Sequence, residues 1–222
     1  MVVQTPEGIL EVRNATIRAN RIEADSYKFD STSNLEIGTA NLFVDTTTSN
    51  VGIGTNAPLA KLHVNGDFYA HDAIRQIVQS VKTDTSSTNS SSFIDTGISV
   101  TITPKTSTSK ILISYSVNAG VNDGHGYLRL VRDGTPIAIG DAAGSRYQCT
   151  HAPRGDSHNQ DIIPCSMEFL DVPATTSAVT YKIQMAVAHS TYYIYINRNH
   201  SNGDSVYSGR TASTITAKEI GY

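Results

Sequence analysis

Residues 93–117 read FIDTGISVTITPKTSTSKILISYSV, and their apolar positions alternate in two runs. Ile98, Val100 and Ile102 fall on one side of an extended chain. After Pro104 and a polar turn, Ile111, Ile113, Tyr115 and Val117 repeat the pattern. A period of two marks a strand with one face in a core. Further strands read outward from this pair at Tyr127–Val131, Ile137–Ile139, Ser166–Val172, Val179–Ala188, Tyr192–Asn197 and Ser213–Ile220. Asp133-Gly134 between apolar runs signals a hairpin, and Asn202-Gly203 a second turn. About eight strands in ~130 residues, with no helical period among them, predict a β-sandwich of jelly-roll type.

Upstream the character differs. From Val12 to Tyr27 an apolar residue returns every fifth position (Val12, Ile17, Ile22, Tyr27), a spacing that suits short extended rungs separated by turns. Short pieces follow: Leu35–Ile37, Leu42–Val44, NVGIGTNAP (50–58) and KLHVNGDFYAH (61–71). They carry too few apolar residues for a private core, so a single copy would fold with difficulty. Three copies wound on a common axis would shield them, which predicts an oligomeric β-stalk over 1–71. Residues 73–81 (AIRQIVQSV) fit a short helix or a strand, and TDTSSTNSSS (83–92) reads as a hydroxyl-rich link. The expected division is stalk 1–71, connector 72–92 and head 93–222.

Composition supports an all-β reading. The 222 residues include 25 Thr, 24 Ser, 11 Tyr and no Trp, and only 17% are charged, against roughly 25% in ordinary soluble domains. A net charge of −3 without a basic run argues against a nucleic-acid binder. No apolar run approaches the roughly 18 residues that span a bilayer, and the first residues, MVVQTPEGILEVRN, lack the pattern of a secretory signal. The expectation is a soluble protein without membrane insertion. Cys149 and Cys165 allow one disulfide or two reduced thiols.

The segment NLFVDTTTSNVGIGTNAPLAKLHVNG (41–66) resembles a module found repeatedly in tail-fibre, spike and other surface proteins of bacteriophages and algal viruses. Its Gly, Pro and Asn-Gly positions recur there in fixed order. The segments IVQSVKTDT (77–85), 93–117, LRLVRDGTPI (128–137) and TAKEIGY (216–222) resemble the distal domains of such fibres. In architecture the head is similar to the trimeric jelly rolls of tumour necrosis factor and complement-type globular domains. The resemblance implies a fibrous, usually trimeric, virion attachment.

Chemical motifs are few. Gly52-Ile53-Gly54-Thr55 lacks the Lys-Ser/Thr ending and the helix of a phosphate loop, so its glycines read as a tight turn. No G-x-S-x-G, H-E-x-x-H or C-x-x-C is present. Cys149, His151, His158 and Cys165 are ligand types for zinc, but the close second pair of a structural site is missing. Arg154-Gly155-Asp156 resembles an integrin-binding tripeptide; an ordinary surface loop explains it as well. Asn14, Asn89 and Asn199 open sequons of the kind Ser/Thr-rich chains produce freely. Along Tyr192–Ile196, alternation puts Tyr193 and Tyr195 on one face and Tyr192, Ile194 and Ile196 on the other, so these tyrosines are candidates for a subunit interface.

The sequence therefore reads as a non-enzymatic virion surface fibre or spike, without metal or cofactor, made in the host cytoplasm. Its first residues would bind other virion proteins, and a trimeric head would contact a host glycan or protein receptor. Loops on a rigid sandwich supply the candidate contacts: Arg146, Tyr147, His151, Arg154, Asp156 and His158 in one segment, Arg198, His200 and Tyr207 in another. Two rival classes share the stalk, a capsid cement or connector and a glycan-degrading tailspike with paired carboxylates.

Overall fold

The computed structural model describes the backbone of 35–37 and residues 41–66, 68, 73–155 and 160–221. The five-residue rungs of 12–27, Asp156 and His158 lie outside them. The chain divides into two units, 1–68 and 69–222.

In the first unit, β1 (Leu35–Ile37), β2 (Leu42–Asp45), β3 (Asn50–Ile53) and β4 (Leu62–Val64) form one sheet in that order. The first two pairings are antiparallel and β3–β4 is parallel. Asp45 shapes the β2–β3 turn by accepting from the Thr47 and Thr48 amides and the Thr48 hydroxyl. The VGIGT glycines serve close backbone packing: a Cβ on Gly52 would stand 2.2 Å from the Thr55 carbonyl oxygen. Gly54, at φ 71°, could not carry one without meeting the Asn65 carbonyl. Phe43 is the one buried apolar side chain among the described residues here, while Leu59 is 88% exposed and Leu62 55%.

The second unit is a two-sheet sandwich. One sheet contains β5 (Ile74–Lys82), β6 (Ser86–Thr88), β8 (Lys110–Val121), β11 (Ile163–Asp171), β13 (Ile194–Ile196) and β14 (Ser213–Ile220). The other runs β10 (Thr135–Ile137), β9 (Gly126–Arg132), β12 (Val179–Val187), β7 (Ile94–Ile102). All pairings in both sheets are antiparallel.

The first sheet holds fewer rods than strands. Along one edge of β8, β14 pairs with Lys110–Ser116 and β13 with Ala119–Val121; β11 takes the other edge. β13 and β14 are thus one strand interrupted by the segment 197–212. The edge strand copies the break, Lys82 pairing with Ser213 and Ser86 with Ile196. Segment 72–92, expected to be a connector, instead contributes β5 and β6 to the sheet. Its hydroxyls hold strand geometry: the Ser86 hydroxyl donates to the Thr96 carbonyl at 2.8 Å.

Ile98 and Ile102, Ile111 and Ile113, Leu128 and Leu130, Ile183 and Met185, and Ile215 are all essentially solvent-free between the sheets. Each such side chain contributes about 1.5–3 kcal/mol through burial. β7 carries a bulge opposite Ile183. There Gly97 adopts φ 86°, and the buried Thr96 hydroxyl donates to the Ile183 carbonyl at 2.8 Å. The Asp133-Gly134 hairpin forms as its residues predict, both at positive φ.

Candidate functional site

The outer faces of the two sheets differ in chemistry. On β7–β12–β9 the outward side chains pair across strands: Lys182 with Asp95 at 2.7 Å, Gln184 with Asp95 at 2.8 Å, and Arg129 with Gln184 at 2.7 Å. On the β8 sheet the outward residues lie in three rows across β5, β14, β8 and β11: Ile77–Lys218–Leu112–Leu170, Gln79–Thr216–Ser114–Glu168, and Val81–Thr214–Ser116–Ser166. Ile77 is 59% exposed and Val81 53%. The Ser114 hydroxyl, at the centre, is buried without a hydrogen-bond partner. Such a face is aliphatic and hydroxylic and nearly free of ion pairs.

At one end of the sandwich lie the β8–β9 turn (122–125), the segment leading into β11, the 188–193 turn and the 197–212 detour. β5 begins at the other end, where Ile74 pairs with Ile220. The detour folds back on the outer face of β13. Tyr193 and Tyr195 stack at 5.9 Å, the Arg198 guanidinium covers the Tyr195 ring at 4.1 Å, and the Tyr195 hydroxyl meets His200 Nδ1 at 2.6 Å. The alternation of 192–196 holds. Ile194 and Ile196 enter the core with Tyr192 packed against them, whereas Tyr195 is buried by its own downstream loop.

Asn199 organises that loop from a buried position. Its side-chain amide donates to the Gln160 and Tyr207 carbonyls at 3.4 Å, and its side-chain oxygen accepts from the Asn202 amide at 3.0 Å. Arg198, His200 and Tyr207, predicted as recognition residues, therefore stand on one frame. Tyr207 is 72% exposed.

The other segment separates. Tyr147 lies on the outer face of the second sheet, stacked on Tyr127 at 4.4 Å and edge-on to Phe93, and its hydroxyl donates to the Ser91 carbonyl. Arg146 is exposed beside it, with its guanidinium on the Ala143 carbonyl. His151, expected on the surface, is half-buried: its Nε2 meets the Tyr115 hydroxyl at 3.0 Å, and its backbone bridges Leu128. Burial pushes its pKa below the ordinary imidazole value and that of Tyr115 far above the phenol value.

Arg154 is exposed but bridged to His125, and Gly155 is clamped: its amide donates to the Gly124 carbonyl, and a Cβ would meet the Val121 oxygen at 1.9 Å. The Arg-Gly half of the tripeptide is thus a bridged strap rather than the tip of a free turn.

Cys149 and Cys165 are both free thiols, so the disulfide alternative is not formed. Burial raises both thiol pKa values, Cys165 to about 11, which leaves them unreactive near neutrality. Among the described residues no three His, Cys, Asp or Glu side chains converge as for a metal ion. No helix among them is long and apolar enough to cross a membrane. The polar residues Asn202, Asp204, Ser205, Ser208 and Arg210 were not singled out by motif, although Asn202-Gly203 opening a run without alternation is the signal that marks them. Neither a family model nor a curated protein matches the chain.

Proposed function

We propose that this chain is a non-enzymatic virion surface protein, a fibre or spike component whose second unit is a homotrimeric jelly-roll head that contacts the host surface. The outer face of the β8 sheet, hydroxylic with the exposed aliphatic side chains of Ile77, Val81 and Leu170, carries the reading. A head with one face of ion-paired side chains and one hydroxylic face bearing exposed aliphatic groups is suited to pack the latter on copies of itself. The alternation of successive long strands between two sheets supports the jelly-roll assignment. The first unit, with one buried apolar side chain among its described residues, supports an intertwined shaft, since those described residues hold no core of their own. Virion proteins would be held by the N-terminal region, and three copies of a weak site gain avidity without new contacts.

The test joins solution mass with binding. Sedimentation of the full chain should give three times 23.9 kDa, and the labelled protein should decorate cells of a susceptible bacterial or algal host. A monomer would refute the trimer. A trimer that ignores host cells but binds fibreless virions would replace attachment by a connector role. Release of reducing sugar from host polysaccharide would make it a tailspike enzyme.

A further inference from the structure

The 197–212 detour forms a half-open cleft of about 340 Å³ whose walls include the exposed Asn202, Asp204, Ser205 and Arg210 together with Ser208. That volume sits at the small end of ligand sites, enough for one compact unit. Its shape is set in advance by the buried Asn199 side chain and by the Ser205–Gly203 and Ser208–Ser205 backbone hydrogen bonds, which reduces the ordering cost of binding. Among the described residues, the side chains of Asn202, Asp204 and Arg210 take no hydrogen bond or ion pair, although all three line the same small space.

The charges decide the ligand class. Arg210 in the wall opposes a metal cation, and Asp204 opposes a phosphate or sulfate. A neutral molecule meets no such penalty. Its groups must both donate and accept, because the wall offers a carboxylate, a guanidinium, an amide and hydroxyls together; alcohol hydroxyls do both. Between the lining residues Ser205 and Ser208 in the chain, Val206 is 95% and Tyr207 72% exposed, apolar surface on which the C–H face of a ring can rest. We propose that the Asn202–Arg210 cleft binds one neutral hexose unit of a surface polysaccharide. The choice of a sugar over other polyols rests on the attachment reading.

Saturation-transfer NMR on the full-length protein would test it, with the methyl glycosides of glucose, galactose and mannose as probes and inorganic phosphate and Ca²⁺ as ionic controls. At least one glycoside should show transfer. The signal should fall at least fivefold in the double variant Asp204→Asn/Arg210→Met and separately in Tyr207→Ala, and stay unchanged in the exposed Lys105→Ala. Absence of transfer from all three glycosides, or transfer that survives both cleft variants, overturns the assignment. So does a cleft that takes phosphate or Ca²⁺ instead. Cell binding by the same proteins separates the two readings. If the cleft variants bind neither glycosides nor cells, both stand. If they still bind cells as wild type does, the sugar role fails and attachment survives. If wild type binds a glycoside but no cells, the cleft stands and attachment falls.

Discussion

The Ser213 hydroxyl donates to the side-chain oxygen of Asn197 at 2.6 Å, closing the gap between two strands separated by the whole detour. Asn197 is solvent-free and left-handed at φ 63°. Its side-chain amide also donates to the Lys82 and Asp84 carbonyls at 2.8 and 3.0 Å, so one residue seals the breaks in two neighbouring strands. Replacing it with Ala removes three buried hydrogen bonds and leaves a strained φ. A loss of about 3 kcal/mol is expected. Asn197→Gly relieves the backbone but not the bonds, and should be about 1 kcal/mol less harmful. Melting curves of the two variants would show whether that order holds.

Asp171, buried on β11, ties the sheets together. It accepts from Arg132 at 2.8 Å and from the Tyr181 hydroxyl at 2.7 Å, and burial with the nearby carboxylate raises the Tyr181 pKa far above the phenol range. Tyr181→Phe should cost about 1 kcal/mol. Asp171→Ala strands a partly solvated guanidinium and should cost about 2–4 kcal/mol. Equal losses in a denaturant titration would contradict this division.

Stability should decline in two steps as pH falls. His151 has a depressed pKa in the fold, so its contribution is full above its ordinary value of 6.5 and is lost as pH drops below it. Glu219 is buried, which opposes its charge, but bonds from Ser109, Gln76 and the Lys105 amide, with Arg75 nearby, win and hold its pKa below 4.5. Its contribution is present above 4.5 and lost below. His151→Gln should flatten the melting profile just below pH 6.5 and spare the acid limb that Glu219 sets below 4.5. An unchanged profile would place the titration elsewhere.

Gly155→Ala should destabilise by more than about 2 kcal/mol or expel its strap, since a Cβ would stand 1.9 Å from a carbonyl oxygen. The exposed Arg154→Ala should fall within about 0.5 kcal/mol of wild type. Limited proteolysis near 153–156 would report the difference.

On the proposed trimer, charge placed on the outer face of the β8 sheet should separate subunits without unfolding them. Ile77→Lys with Val81→Glu leaves the core untouched, since both side chains point away from it. Sedimentation should shift from trimer to monomer at unchanged circular dichroism. Trimers that persist in the double variant would move the interface elsewhere.

The long strands were readable because burial on one face imposes a period of two, as at Ile111–Val117. The joins were not. Asn197 resembles any polar loop residue, and the continuity of β13 with β14 depends on Ser213, which lies beyond the detour. His151 read as a surface residue because its neighbours are polar; only the distant Tyr115 hydroxyl gives it an inside partner. Glu219 and Ser109 meet across more than a hundred residues of chain. Among the recognition candidates, Arg198, His200 and Tyr207 share one frame because Asn199 is buried beneath them, a fact local pattern does not carry.

The two ends of the detour touch, with the Thr211 amide donating to the Asn197 carbonyl at 3.2 Å. The sheet therefore feels the junction and the 198–200 stretch that covers Tyr195, while the exposed chain beyond can change in length for about 0.6 kcal/mol per doubling. Segment 201–207 is in that sense an exchangeable cassette. A lineage could rewrite this exposed tip, even insert a longer loop, while the sandwich below kept folding as before.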